Sequence, residues 1–122
     1  MAKTDAFTST FKMLRKVLKP YARHFNVHTD TPQAYYLYCK TAKTRSGVPI
    51  AFGGVEIKKN YVSFHLIPVY ASAALRDGLS ASLKKRMQGK SCFNFTAIEP
   101  EHVEELTAVT RKGFEGFIKK FP

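Results

Sequence analysis

Apolar residues recur at a spacing of three and four near the start of the chain, which predicts a helix with one apolar side. These residues are Phe7, Phe11, Leu14, Val17, Leu18, Tyr21 and Phe25. Pro20 lacks a backbone donor and clashes with the preceding turn, so the helix should end near Lys19. A short second turn then carries Tyr21 to Phe25.

After Pro32 the pattern changes to β-branched and aromatic residues with a period of two, which is typical of strands. The predicted strands are QAYYLYCK, IAFGGVEI, YVSFHLI and SCFNF. Lys59 and Asn60 form a predicted two-residue turn, because Asn tolerates the left-handed conformation. The segment 26–32 before the first strand is predicted to be irregular. A short helix over Ser80–Met87 should end at Gly89 as its C-terminal cap.

The last segment predicts a long helix that begins at Pro100. Its apolar side consists of Val103, Leu106, Thr110, Phe114, Phe117, Ile118 and Phe121. Glutamates occupy its first turns and lysines its last, as the helix dipole favours. The acids there therefore have a structural explanation.

Two long stretches resemble the YdhG-like family of small bacterial proteins. They are VPIAFGGVEIKKNYVSFHLIPVY and LKKRMQGKSCFNFTAIEPEHVEELTAVTRKGFEGF. The resemblance implies one α+β domain over residues 1–122, with two layers. It predicts an antiparallel sheet of about four to five strands, with the N-terminal and C-terminal helices packed mainly on one face. The family is a domain of unknown function, and some relatives are likened to frataxin-type iron carriers, an analogy of fold only.

The composition is that of one soluble domain. The chain has 122 residues, 44% of them hydrophobic and 24% charged, and no apolar run reaches the length of about 18 that a membrane span requires. The first residues lack the pattern of a secretory signal, which predicts a cytoplasmic protein without membrane contact. Cys39 and Cys92 lie in apolar, strand-like runs and are expected to be reduced.

Charge is the strongest compositional signal. Lys and Arg number 20 against nine Asp and Glu, a formal net charge of +11, and the excess is larger in residues 1–60. Such an excess raises encounter rates with polyanions. Candidate partners are therefore a polyanion or an acidic protein, although the charge alone names neither.

The strand alternation sorts the sheet side chains into two faces. The predicted covered face, under the helices, holds Tyr35, Leu37, Cys39, Val62, Phe64, Leu66, Phe93 and Phe95. The predicted open face holds Tyr36, Tyr38, Tyr61, His65, Cys92 and Asn94. Tyrosines among lysines suit the stacking of unpaired bases while cations neutralise phosphates.

We therefore predict a non-enzymatic binding module with a basic surface for an anionic ligand or acidic partner, and alternatively a single-stranded nucleic-acid binder. The candidate contact residues are Tyr36, Tyr38, Lys40, Lys58, Lys59, Tyr61, His65, Lys84, Lys85, Arg86 and Lys90. The plainer interpretation is that tyrosine is an ordinary strand residue and that a second copy of the chain, as a homodimer, or a loop covers the open face.

Two other site hypotheses remain open at this stage. A thiolate near an imidazole acts as a nucleophile or ligand, which would join His65 to Cys39 or Cys92. An iron carrier would need an exposed array of carboxylates, and this chain has few acids to build one. No metal site and no cofactor are predicted.

Sequence motifs do not favour an enzyme. Gly89, Lys90 and Ser91 look like the end of a phosphate-binding loop, but Lys84 occupies the position of its first glycine. No nucleophile turn, paired catalytic carboxylates or cofactor loop is evident. His24, His28 and His102 are interpreted as surface histidines without a role.

Overall fold

A computed structural model describes residues 3–89 and 92–120 of the chain. A long helix stands at each end of it, α1 over Lys3–Leu18 and α5 over Pro100–Lys120, and a 3₁₀ helix over Lys19–His24 follows α1. The elements between them are β1 (Asn26–Asp30), β2 (Ala34–Lys43), β3 (Pro49–Ile57), β4 (Val62–Leu66), α2 (Ile67–Ala71), α3 (Ala73–Asp77), α4 (Ala81–Arg86), β5 (Met87–Gln88) and β6 (Cys92–Phe95).

The strands of the described residues form one antiparallel sheet of six, in the order β1-β2-β3-β4-β6-β5. The predicted α+β class, the antiparallel sheet and the helices at both termini are confirmed. The predicted number of strands, about four to five, was too low. The additional strands, β1 and β5, are the two edges: β1 is mostly exposed and so lacks apolar alternation, and β5 has only two residues.

Helix α1 buries its predicted apolar side against the sheet and α5. The buried residues are Phe7, Phe11, Leu14, Val17 and Leu18, followed by Phe25 beyond the 3₁₀ helix. The α-helix ends at Leu18, as the proline two residues later predicts. In α5, Leu106, Thr110 and Phe117 are buried, Ile118 is exposed, and Phe121 lies outside the described residues.

The predicted division of the sheet into two faces is confirmed on β2, β4 and β6. All eight residues assigned to the covered face are buried. The side chains between them, which point the other way, are only partly buried. The helices therefore pack against one set of alternating residues and leave the open face nearer to solvent.

A β-bulge shifts the alternation in β3. Leu37 pairs with Gly53, but the next residue, Tyr38, pairs with Ala51, so Phe52 has no partner of its own. Phe52 is fully buried on the helix side. Its ring centroid lies 4.7–5.9 Å from those of four other rings: Tyr21, Phe25, Phe114 and Phe117. The bulge thus gives the core its aromatic centre.

Four local predictions were wrong. The segment 26–32 is not irregular throughout, because Asn26–Asp30 form strand β1. Gly89 does not cap α4, which ends at Arg86; two strand residues follow, and Gly89 lies in the next turn with φ of +71°. Asn60 is not left-handed, since no non-glycine residue of the described chain has a positive φ. The turn is closed instead by the Lys58 N–H, which donates to the Tyr61 carbonyl at 2.8 Å. His102 is buried, not at the surface.

His102 is buried because it closes the first turn of α5. Its Nδ1 accepts from the Glu99 backbone N–H at 3.2 Å, and its Nε2 lies 2.8 Å from the Ser82 hydroxyl of α4. Its ring also contacts Phe95, at 5.5 Å between centroids. This histidine joins α5 to α4 and to the sheet.

Candidate functional site

The strand register places a row of four residues across the middle of the open face. Tyr36 of β2 pairs with Gly54 of β3, Gly54 with His65 of β4, and His65 with Cys92 of β6. The three side chains of this row are partly buried. Tyr36, His65 and Cys92, which the sequence assigned to the open face separately, thus belong to one site.

The Tyr36 ring lies directly over the backbone of Gly54. A Cβ at Gly54 would overlap the ring carbons of Tyr36, so the ring lies where any larger residue would have its side chain. A tyrosine across from a strand glycine shields the glycine backbone from water and packs well there. The orientation of Tyr36 therefore depends on the absence of a side chain at residue 54.

The Tyr36 hydroxyl is held by a carboxylate. It donates to Glu56 Oε1 at 2.6 Å, and Lys58 Nζ lies 3.2 Å from the same oxygen. Burial, and then the bond to Glu56, raise the pKa of the Tyr36 phenol far above 10. The bond from Tyr36, followed by the bond and charge of Lys58, lowers the pKa of the Glu56 carboxyl, with burial opposing. The phenol stays protonated and the carboxylate ionised across the neutral range.

The Tyr36→Phe variant tests this hydrogen bond. The folded protein keeps the phenol protonated and Glu56 ionised, so the bond stabilises between the ordinary pKa values of the two groups, 4.5 and 10.0. We expect the variant to lose about 1 kcal/mol of unfolding free energy at pH 7, because the bond to a charged group is only partly shielded from water. The loss should shrink as pH falls below 4.5 and as it rises above 10.0.

Urea unfolding at pH 3, 7 and 11 measures that difference, with Tyr70→Phe as the control. Tyr70 is 59% exposed on α2, a helix that packs against α5, so its hydroxyl should matter little at any pH. Equal losses in the two variants would show that the bond from Tyr36 to Glu56 contributes nothing to stability.

A second ring pair lies beside Tyr36. The Tyr38 ring, two residues along β2, has its centroid 4.6 Å from that of His28, which is exposed on β1. Tyr61, also predicted for this face, is partly buried just before β4 begins. His28 was interpreted as a surface histidine without a role, and the structure gives it an aromatic neighbour.

The predicted thiol and imidazole group is divided by the sheet. Cys92 Sγ lies 3.0 Å from His65 Nδ1 on the open face, whereas Cys39 is buried on the covered face. Burial lowers the pKa of the His65 imidazole and raises that of the Cys39 thiol. Only Cys92 of the two cysteines therefore shares a site with His65.

The candidate lysines and arginine separate into two groups. Lys40 Nζ lies 3.4 Å from the Arg23 carbonyl, Lys58 binds Glu56 on the open face, and Lys59 is exposed in the turn between β3 and β4. The other group lies on α4, where the Arg86 guanidinium lies 5.7 Å from the ring centroid of Phe95, a covered-face residue.

The remaining members of the α4 group follow that helix. Lys84 Nζ lies 3.5 Å from the Asp77 carbonyl, and Lys85 is exposed. The structure thus gives α4 a place on the helix side of the sheet, apart from the Tyr36 site. Lys90 lies outside the described residues.

Glu56, Gly54 and His28 were not selected from the sequence. Glu56 lies two residues before Lys58 in a predicted strand, and the GlyGly pair in the same strand is a signal for close approach of another group. Those two signals point to β3 but not to Tyr36. Only the register of β2 against β3 brings Tyr36 next to Gly54 and Glu56.

Comparisons of the chain with protein-family models, with curated proteins and with solved structures give no match. The resemblance to the YdhG-like family therefore stays a prediction. Within residues 3–89 and 92–120, no three His, Cys, Asp or Glu side chains are grouped so as to hold a metal ion. Over the same part of the chain, every helix is too short or too polar to cross a membrane.

Proposed function

We propose that the protein is a non-enzymatic binding module that holds a single-stranded nucleic acid on its open face. The observation that carries the proposal is the pair of aromatic side chains on β2, Tyr36 and Tyr38, which point away from the helices and remain partly exposed. Stacking on such rings is tolerant of base identity, because every base has a π-face.

The site is already organised for stacking. Gly54 and Glu56 fix the Tyr36 ring, and His28 lies against the Tyr38 ring. A ring that is held before binding loses less side-chain entropy when a base stacks on it. The fixed ring therefore supports a binding surface, although the same contacts also stabilise the sheet.

Cations stand at both ends of this surface. β2 and β3 are antiparallel, so Lys40, near the end of β2, and Lys58, just after the end of β3, lie at opposite ends of the face. The net charge of +11 adds a general attraction for phosphates. A strand that crosses from one lysine to the other would pass over the tyrosines.

Fluorescence anisotropy with a labelled oligouridine of about ten nucleotides tests the proposal. We expect Tyr38→Ala to bind at least about fivefold more weakly than the natural protein, because the stacking of one base is lost. The deficit should persist as salt is raised, whereas binding that depends on charge alone weakens steeply.

Tyr70→Ala is the matched control, since it removes the same side chain from an exposed position on α2. Two further variants form a second pair. Lys40→Gln removes one charge from the open face, and Lys112→Gln removes one charge from α5. Equal affinity in Tyr38→Ala and Tyr70→Ala, or no binding at low salt, would contradict the proposal. An acidic protein or a second copy of the chain would then be the next partner to test on this face.

The iron-carrier alternative, which rests on analogy of fold, also stays a prediction. A ferrous titration of the protein at micromolar concentration decides it separately from the nucleic-acid experiment.

A further inference from the structure

The thiol of Cys92 and the imidazole of His65 form a side-chain pair that stacking on the tyrosines does not use. The Sγ and Nδ1 atoms are 3.0 Å apart on adjacent, antiparallel strands, and the two residues are direct partners in the register. Both side chains are partly exposed. Cys39, by contrast, is buried among the residues under the helices.

We propose that Cys92 is a site of thiol–disulfide exchange with small disulfides, in which His65 takes the thiol proton. The thiolate is the attacking form of cysteine, and an adjacent base within hydrogen-bond distance generates it. The 3.0 Å separation of Sγ from Nδ1 meets that geometric requirement. The proposal does not depend on nucleic-acid binding, because it rests on different side chains.

The exchange is balanced without a further reagent. The thiol proton of Cys92 moves to Nδ1 of His65, and Sγ attacks one sulfur of the small disulfide. A bond forms between Sγ and that sulfur while the original S–S bond breaks. The imidazolium then gives its proton to the departing thiolate or, where that thiolate is too weak a base, to water. Cys92 is oxidised to a mixed disulfide, and the small disulfide is reduced to one thiol.

The surroundings keep the imidazole able to accept a proton. Burial lowers the pKa of the His65 imidazole, which keeps the ring neutral at pH 7 but also makes it a weaker base, so the proposal rests on the 3.0 Å contact with Sγ. Tyr36 faces the pair from β2 and stays protonated, since its pKa is raised by burial, by Glu56 and in part by Cys92. The Glu56 carboxylate next to it is paired with Lys58.

Reaction of the full chain with dithiobis(nitrobenzoate), an aromatic disulfide that releases a coloured thiolate, tests the proposal. Cleavage after Lys and Arg places Cys39 and Cys92 on different peptides, so mass spectrometry identifies the labelled thiol. We expect Cys92 to be labelled first. At pH 7 the His65→Gln variant should react at least about tenfold more slowly, a smaller loss than the roughly 10²–10⁴-fold typical of a general base, because some thiolate also forms without one.

The pH dependence of the reaction rate shows whether His65 acts as a base or has only a structural role. The rate in the natural protein should change little between pH 8 and 6.5, whereas in His65→Gln it should fall about tenfold per pH unit, as thiolate is lost. His24→Gln removes an exposed histidine of the 3₁₀ helix, outside both proposed sites, and should leave the rate unchanged.

Labelling of Cys39 before Cys92, or equal rates in His65→Gln and the natural protein, would overturn the proposal. Circular dichroism shows whether His65→Gln folds. If it does not, the natural protein alone decides, because a rate that rises about tenfold per pH unit from pH 6 to 8 would mean that no base acts.

Discussion

Replacement of Phe52 by alanine should lower the unfolding free energy by about 3–5 kcal/mol, the usual loss when a fully buried Phe is truncated in a close-packed core. Phe52 has no exposed surface, and its ring stacks on Phe25 with centroids 4.7 Å apart and planes inclined by 12°. Aromatic pairs add about 0.5–1.5 kcal/mol beyond area burial. Urea unfolding measures the loss.

Val48→Ala is the control for this variant. Val48 is 53% exposed just before β3, so truncation should change stability by no more than about 0.5 kcal/mol. The loss of unfolding free energy in Phe52→Leu should fall between those of the other two variants, because leucine fills part of the cavity but lacks the stacked ring. A loss below 1 kcal/mol for Phe52→Ala would show that the bulge in β3 does not anchor the core.

Phe52 also shows where prediction from the sequence ends. In β2 and β4 strict alternation assigned Tyr35, Leu37, Phe64 and Leu66 to the covered face, and all are buried. In β3 the bulge places Phe52 and Gly53 on the same side, which a period of two cannot predict. The shift depends on pairing with β2, a contact between residues distant in the chain.

Three members of the candidate site were predictable from the sequence, but Gly54, Glu56 and the contacts between the members were not. Alternation placed Tyr36, His65 and Cys92 on one face, because each residue's direction follows from its own strand. The 3.0 Å contact of His65 with Cys92 depends on the β4–β6 register, across 26 intervening residues. No apolar alternation in the sequence indicated the edge strand β1, since its side chains are almost all exposed.

The two proposals for the open face use different residues of one row. Tyr36 is fixed by β3, whereas His65 and Cys92 pair between β4 and β6, and Gly54 lies between the two groups. A substituent on Cys92 would stand near the Tyr36 ring, whose pKa already responds to Cys92. Modification of the thiol should therefore change the surface that we propose for base stacking.

Two glycines of α5 should respond with opposite signs to the same substitution. Gly113 is buried against α2, and a Cβ there would lie 2.7 Å from Cβ of Pro68, a rigid ring. Three residues later, a Cβ at Gly116 would meet no atom within 4 Å. Helix propensity favours alanine over glycine by about 1 kcal/mol at both positions. Only Gly113 also has a steric cost, typically about 1–3 kcal/mol for an overpacked core.

We expect Gly116→Ala to raise the unfolding free energy by about 0.5–1 kcal/mol. Gly113→Ala should lower it by up to about 2 kcal/mol, because overlap with Pro68 exceeds the gain in propensity. Urea unfolding of the two variants measures the difference, and each serves as the control for the other because helix and substitution are the same. Stabilisation by both would mean that α2 moves away from α5 at little cost, and that the close contact of Pro68 with Gly113 does not hold these helices together.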